Sequence, residues 1–150
     1  MRAQTLQRQI EPTEAQEQSA LLHRIELVKK TYPDLQLIYA VPNGGARDVI
    51  GAVHLKDQGV KKGVPDLVLP VARGGYHGWY GELKRKTQGQ LSDEQRDWLR
   101  CLCAQGYWAT WHRGADEMWN DLMWYLSLPH VDPQTTLPIR PMREIERGTK

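Results

Sequence analysis

Apolar residues recur at helical spacing in several segments of the chain, and capping residues mark where these segments begin and end. Thr13 is a favourable N-cap for a first helix, which has Leu21 and Ile25 on one face. This helix ends near Lys30, shortly before Pro33. Three more helices are predicted over 48–58, 92–106 and 115–128.

Short apolar runs between these helices predict four strands. They cover residues 35–41, 65–71, 76–84 and 107–112, and residues 72–75 form a hairpin turn. The order along the chain is therefore α-β-α-β-β-α-β-α, which predicts an α/β fold with a small mixed sheet flanked by helices. Because this architecture serves many functions, the function must be inferred from a site.

The two ends of the chain lack the periodic apolar pattern of its middle. Residues 1–12 are predicted to be a flexible leader, and residues 13–128 to be the folded domain. Four of the nine prolines lie in 129–150, so this segment is predicted to be an extended tail. Because the polar N-terminus lacks a secretory signal and no apolar run reaches the roughly 18 residues of a membrane helix, we expect a cytoplasmic protein without a membrane partner.

Composition argues against several other kinds of site. The net charge of +2 is only mildly basic, so charge alone does not predict nucleic-acid binding. Cys101 and Cys103 have neither zinc-motif spacing nor a relaxed disulfide geometry, and we expect reduced thiols, one of them in the core. The five histidines show no ligand spacing, and without a Gly-rich phosphate loop no nucleotide cofactor is expected.

Three charged residues occupy an otherwise apolar part of the predicted sheet. Asp66 lies at the start of the second strand, and Glu82 and Lys84 lie two residues apart in the third, so the latter two point to the same face. If the hairpin closes at Arg73 and Tyr76, Asp66 and Glu82 lie roughly opposite each other. The three charged side chains then converge on one part of the sheet.

Such a cluster is costly unless a cation lies within it. Two carboxylates ~4 Å apart repel by about 4 kcal/mol at an effective dielectric constant near 20. Mg²⁺ relieves this repulsion with one or two carboxylates plus substrate phosphate and water, and the Leu83 carbonyl is a further candidate ligand. Lys84 is placed to orient or deprotonate the attacking water. The alternative is a surface ion-pair ladder of Glu82, Lys84 and Lys86 on a solvated strand.

The motifs around these residues resemble those of a known family. Asp66 after a proline, followed by Glu82-Leu83-Lys84, is similar to the signature of PD-(D/E)XK nucleases. The segments that resemble the VRR-NUC domain of that superfamily lie, in order, at 42–47, 55–67, 82–84, 91–95 and 106–107. The resemblance covers about residues 13–126 and implies a restriction-endonuclease-like core.

The resemblance also implies a metal-dependent nuclease site. Asp66 and Glu82 are expected to bind Mg²⁺ or Mn²⁺, and Lys84 is expected to be the catalytic lysine. A glutamate of the first helix usually completes such a site. Glu14 and Glu17 are both candidates, and the helix start at Thr-Glu and the distance to the apolar stripe favour Glu14.

Gln95 lies in the motif that follows the lysine, and two compatible roles are open to it. It either reaches the active site or serves as the partner of Ser92 in a capping box at the start of a helix. The two roles do not exclude each other, because a side-chain amide has both donor and acceptor atoms.

Basic residues flank the proposed site along the chain. Lys61, Lys62, Arg85 and Lys86 are predicted to contact the phosphate backbone of DNA. Arg47 follows a glycine-rich loop and either contacts phosphate or caps a helix.

The family resemblance implies a homodimer that cleaves branched DNA such as four-way junctions, as standalone members from phages and bacteria do. We therefore expect a structure-specific DNA endonuclease that acts in a bacterial or phage-infected cell. One alternative is a DNA-structure-binding subunit without turnover. Another is a nickase, an exonuclease or a restriction-like nuclease on the same fold.

Overall fold

The computed structural model of the protein describes residues 11–42 and 49–130 of the 150-residue chain. Three predicted features lie outside these residues: most of the leader, the loop that contains Arg47, and the tail beyond residue 130. The division into leader, domain and tail therefore stays a prediction. In the part of the chain that is described, no helix is long and apolar enough to cross a membrane.

Four α-helices form within residues 11–42 and 49–130, and their starts follow from the sequence. They are α1 (Glu14–Val28), α2 (Val49–Asp57), α3 (Asp93–Ala104) and α4 (Gly114–Ser127). Both predicted N-caps are confirmed, because Thr13 and Ser92 each form a reciprocal capping box with the glutamine three residues later. These caps satisfy backbone N–H groups that the first turn of a helix leaves without a partner.

A four-stranded mixed sheet lies at the centre, which confirms the predicted α/β fold. Its strands are β1 (Tyr39–Ala40), β2 (Leu67–Leu69), β3 (Trp79–Lys84) and β4 (Trp108–Arg113), and they lie side by side in that order. β2 pairs antiparallel with both β1 and β3, whereas β3 pairs parallel with β4. Helix α3 makes the crossover connection that the parallel pair requires.

Proline shortens the first two strands relative to the prediction. The prediction of a strand over 35–41 is wrong in its first half, because a 3₁₀ helix spans Pro33–Leu37. Proline fixes the backbone angle that suits a helix start, and this bias overrides the apolar run that follows. β2 is bounded by Pro65 and Pro70, which have no N–H to donate to the sheet.

The turn between β2 and β3 closes where the sequence places it. Arg73 and Tyr76 form an isolated antiparallel bridge, as predicted. The third strand itself begins at Trp79 rather than at Tyr76. Arg73 also bridges His130, and the Gly74 N–H donates to the Pro129 carbonyl at 2.9 Å, so the start of the predicted tail lies against this turn.

One face of the sheet forms the hydrophobic core with α1 and α4. Its central residue is Trp79, which is fully buried with Leu67 and Leu69 from the neighbouring strand. Gly81 makes room for it, since a Cβ on this residue would come within 2.2 Å of the Trp79 ring. Helices α1 and α4 contribute six apolar side chains to this core: Leu21, Ile25, Ala115, Met118, Leu122 and Tyr125.

A partly buried carboxylate organises the polar groups at the edge of this core. Asp121 accepts hydrogen bonds from the indole N–H groups of Trp79 at 2.7 Å and Trp108 at 3.1 Å, and its Oδ2 lies 3.0 Å from His112 Nε2. Burial alone raises the pKa of Asp121, but these neighbours outweigh it and hold the pKa below its usual value. Asp121 is therefore an ionised acceptor that ties β3 and β4 to α4.

Removal of this acceptor is expected to destabilise the fold. Asp121→Ala leaves two indole N–H groups and the imidazole without their partner, which costs about 3 kcal/mol of unfolding free energy. Thermal denaturation should show a fall in Tm of about 10 °C. Asn120→Ala, an exposed change on the same helix, is the control and should leave the Tm unchanged. Equal Tm values for the two variants would contradict the role of Asp121.

The expectation that one cysteine belongs to the core is wrong. Cys101 and Cys103 are both exposed free thiols on α3. The buried positions of this helix are Leu99 and Leu102, and the helical period places the two cysteines on either side of Leu102.

Candidate active site

Asp66 and Glu82 lie opposite each other on the sheet face that is turned away from the core. The pairing of Leu67 with Gly81 continues by one residue to bring Asp66 beside Glu82, as predicted. Asp66 Oδ2 accepts a hydrogen bond of 2.7 Å from the backbone N–H of Leu83, while the Leu83 side chain is buried in the core. The backbone carbonyl of Asp66 accepts from Val41 N at 2.8 Å, so the residue is held from both neighbouring strands.

Glu82 receives two side-chain contacts on a single oxygen. Lys84 Nζ lies 2.8 Å and Gln95 Nε2 lies 2.5 Å from Glu82 Oε1. Glu82 and Lys84 are 1% and 7% exposed, so their ion pair is buried and is not the solvated surface ladder of the alternative interpretation. Glu82 Oε2 has no hydrogen-bond partner in the described part of the chain, although it is buried.

Gln95 combines the two roles that the sequence left open. Its Oε1 accepts from the Ser92 backbone N–H at 2.9 Å, which completes the capping box of α3. Its Nε2 donates at the same time to Glu82. The position of the site carboxylate is thereby coupled to the first turn of α3.

The carboxylates of this site are electrostatically strained. Burial raises the pKa of Glu82 to about 7, repulsion from Asp66 and Glu14 adds to the rise, and Lys84 opposes it. Burial also raises the pKa of Asp66, and it outweighs the Leu83 hydrogen bond and the charge of Lys84. Such shifts are typical of functional sites and are relieved by a nearby cation.

The structure separates the two glutamates of α1. The Glu14 side chain reaches the end of β3, where its Oε1 accepts from Arg85 N at 3.3 Å and its charge raises the pKa values of both Asp66 and Glu82. Glu17 is buried on the core side and accepts from the Ala115 backbone N–H at 2.8 Å, so that it caps the start of α4. The geometry therefore places Glu14 beside the predicted metal ligands and gives Glu17 a structural contact.

The donor set fits a hard divalent cation that keeps much of its own hydration. Among the described residues, no three His, Cys, Asp or Glu side chains lie close enough to enclose a metal ion by themselves. Mg²⁺ does not need such a cage, because it binds through one or two carboxylates together with water and phosphate. Asp66 and Glu82 would supply the carboxylates, and Glu82 Oε2, which lacks a partner among the described residues, is a buried oxygen of the required kind.

The basic residues predicted to bind DNA differ in whether their side chains form ion pairs. Lys62 pairs with Glu94 at 2.9 Å, and Lys86 lies 3.7 Å from Glu17 and 3.6 Å from Asp116. Lys61 and Arg85 are exposed, and no ion pair is formed by either of them within residues 11–42 and 49–130. Two of these four cations are therefore already paired with carboxylates, and two are not.

The loop that precedes Asp66 is fixed against α3. Trp98 Nε1 donates to the Lys62 carbonyl at 3.1 Å. Gly63 has φ of +86° and a Cβ there would come within 2.8 Å of the Glu94 backbone, so only glycine fits. Gly63 thus allows the loop before Asp66 to approach the backbone of α3 closely.

Three residues have contacts or positions that the sequence alone did not predict. Trp111 pairs with Glu82 and Arg113 pairs with Lys84 across β3 and β4, so they share the face of the site. The alternation of side chains along β4 was the available signal, but it requires the register of the pairing. Glu11, which was assigned to the leader, accepts hydrogen bonds from the backbone and hydroxyl of Thr87.

Comparison with known proteins agrees with this architecture. The family model of the VRR-NUC domain matches residues 2–116. A solved structure described as a VRR_NUC domain protein is similar with a TM-score of 0.68 and 27% sequence identity, and the match covers 81% of this chain and 93% of that one. No curated protein matches significantly. The chain belongs to the VRR-NUC domain family, which is part of the PD-(D/E)XK nucleases and implies a nuclease-type function in DNA processing.

Proposed function

We propose that the protein is a Mg²⁺- or Mn²⁺-dependent endodeoxyribonuclease that cleaves branched DNA such as four-way junctions. The observation that carries the proposal is the convergence of Asp66, Glu82 and Lys84 on one sheet face, with both carboxylates raised in pKa. A binding subunit without turnover has no use for a strained cluster of this kind, because it lowers the stability of the fold.

The side chains of the site have separate tasks in this proposal. Asp66 and Glu82, with the Leu83 carbonyl, would hold the metal ion, and Glu14 would support them from α1. When bound, the ion polarises the phosphoryl group and makes its bound water more acidic. Hydrolysis forms a bond between the water oxygen and phosphorus and breaks the bond to the leaving sugar oxygen.

Lys84 acts on the attacking water. Its ammonium group is held at 2.8 Å by Glu82, which in turn is held by Gln95, so its position is fixed before substrate binds. A buried lysine in such a place orients the water and stabilises the negative charge that develops on the phosphoryl oxygens. Gln95 is a positioning residue, because it acts through Glu82.

We further propose that the substrate is branched DNA and that the protein acts as a homodimer. The similar solved chain is covered over 93% of its length, so it consists of little more than the shared fold. A two-fold dimer of such compact units presents two active sites, which is what paired incision of a symmetric junction needs. Light scattering that gives roughly 35 kDa, twice the chain mass, would support the dimer, and a monomer would contradict paired incision.

The first experiment is a cleavage assay on a labelled four-way junction and on a linear duplex of the same sequence. Each DNA is incubated with Mg²⁺, with Mn²⁺ and with chelator. Asp66→Asn tests the site, and Asp97→Asn is the matched control, since Asp97 lies exposed on α3. Metal-dependent cutting of the junction alone, lost only in Asp66→Asn, is the expected result. Cutting of both DNAs would indicate a general nuclease, and tight binding without cutting would indicate a binding subunit.

Loss of the lysine is expected to separate chemistry from binding. Lys84→Ala should slow cleavage by on the order of 100- to 1000-fold, because the water loses its orienting group. Affinity for DNA in chelator should stay unchanged, since the Lys84 charge is already neutralised by Glu82. Lys29→Ala, a partly exposed lysine that pairs with Glu26 at the end of α1, serves as the control. Undiminished cleavage by Lys84→Ala would remove the lysine from the mechanism.

A further inference from the structure

Arg113 stands beside the site and has no acidic partner for its side chain among the described residues. It is the last residue of β4 and pairs in register with Lys84, the last residue of β3, so both side chains leave the same face of the sheet. Arg113 is exposed, and in the described part of the chain its guanidinium forms no ion pair with a carboxylate. The nearest acid in sequence, Glu117, accepts instead from the Arg113 backbone N–H at 2.7 Å.

Trp111 holds this guanidinium in place. The Arg113 guanidinium carbon lies 5.2 Å from the centre of the Trp111 ring, within the range of a cation–π contact. Trp111 pairs in register with Glu82, so the ring lies in the same row as the two site carboxylates. The cation is thus oriented by an aromatic ring that leaves its hydrogen-bond donors free.

Arg113 differs from Lys84 and Lys86 in that its charge is not paired with a carboxylate of the described residues. Lys84 is neutralised by Glu82, and Lys86 lies between two carboxylates. Arg113 is therefore a fixed positive charge, without a counter-ion in the described ranges, on the face that carries the cluster. A guanidinium in this state matches a phosphate group, which accepts two parallel hydrogen bonds from its fork of donors.

We infer that Arg113, oriented by Trp111, binds a backbone phosphate of the DNA. This phosphate is adjacent to the phosphate at which the strand is cleaved. The inference rests on the proposed function for the identity of the ligand as DNA. It assigns to β4 a substrate-positioning role that supplements the basic residues of loops 60–65 and 85–87. It also predicts that Arg113 affects binding of DNA more than the chemical step.

The test measures DNA binding in chelator, where no cleavage occurs. Fluorescence anisotropy of a labelled four-way junction is followed at several salt concentrations. Arg113→Ala should weaken binding about 10-fold at low salt and reduce the slope of log K against log[salt] by about 0.9, the loss of one phosphate contact. Arg113→Lys should keep the slope but lose part of the affinity, because it keeps the charge and not the fork.

A double-mutant cycle tests the role of the ring. Trp111→Leu should weaken binding several-fold in the wild-type background and have little further effect in Arg113→Ala, because its contribution acts through the guanidinium. Arg100→Ala, an exposed arginine on α3, is the matched control and should leave the affinity and slope unchanged. A ring that is merely structural would lower the Tm without this coupling.

The outcomes distinguish the inference from the proposed function. If wild type cleaves DNA but Arg113→Ala binds as tightly as Arg100→Ala, only the inference is overturned. If wild type binds without cleaving and Arg113→Ala loses affinity, the nuclease proposal fails and the phosphate contact stands. If wild type binds neither a junction nor a duplex, both are overturned.

Discussion

Replacement of Glu82 by glutamine is expected to abolish cleavage and also to stabilise the metal-free protein at alkaline pH. The loss of a carboxylate that we propose as a metal ligand should reduce cleavage by on the order of 1000-fold. The pKa of Glu82 rises from 4.5 to about 7 on folding, mainly because of burial and then because of Asp66. This rise corresponds to about 3 kcal/mol of strain when the carboxylate is ionised.

The direction of the pH effect follows from proton binding. Between pH 4.5 and 7 the folded protein holds the Glu82 proton more tightly than the unfolded chain does, so wild type loses stability as the pH rises through this window. A glutamine amide does not titrate, so the Tm of Glu82→Gln should exceed that of wild type by about 10 °C at pH 9 and by much less at pH 5.

The control for this experiment is Glu94→Gln. A hydrogen bond from Lys62 holds the pKa of the exposed Glu94 at about 2. Replacement of this carboxylate by an amide should therefore bring no gain in Tm over wild type as the pH rises. All scans are made with chelator, so that metal binding does not stabilise wild type alone. A difference between Glu82→Gln and wild type that is the same at pH 5 and pH 9 would show that Glu82 is not strained.

The two glutamates of α1 should give opposite phenotypes when each is changed to alanine. Glu14→Ala removes a charge beside Asp66 and Glu82 and should slow cleavage by on the order of 100-fold, with a loss of stability of at most about 1 kcal/mol. Glu17→Ala leaves the buried Ala115 N–H without its acceptor and should cost about 2 kcal/mol, seen as a fall in Tm of about 5–8 °C.

Each variant is the control for the other, because the two residues lie one turn apart on the same helix. Cleavage by Glu17→Ala, measured well below its Tm, should stay within a few-fold of wild type. If Glu17→Ala loses cleavage at full stability while Glu14→Ala cleaves normally, the assignment of Glu14 to the site is wrong.

The sequence predicted those features that depend on local signals or on one hairpin. The capping boxes at Thr13 and Ser92 are local, and the position of Asp66 opposite Glu82 follows from the turn at Arg73 and Tyr76. The sequence favoured Glu14 over Glu17, but the buried contact of Glu17 with the Ala115 N–H could not be predicted, because it depends on how α1 packs against α4. In an isolated helix, Glu14 and Glu17 lie one turn apart and have the same local environment, so only tertiary packing distinguishes their contacts.

Long-range register explains most of what sequence reasoning missed. Arg113 becomes part of the site face only because β4 pairs with β3 so that it lies beside Lys84. The position of Asp121 in α4 does not reveal its role from the sequence, because its three partners come from two strands that are distant in sequence. The 3₁₀ helix at Pro33–Leu37 shows the converse case, in which one proline changes the structure of an apolar run.

The shared hydrogen bonds of Gln95 give the site a dependence on helix fraying. Helix ends open more often than helix centres, on timescales that hydrogen exchange detects. When the first turn of α3 opens, the amide that caps Ser92 also leaves Glu82, which then has Lys84 as its only described side-chain partner. The opening free energy of a single helical turn therefore sets the fraction of molecules in which the carboxylate is fully held.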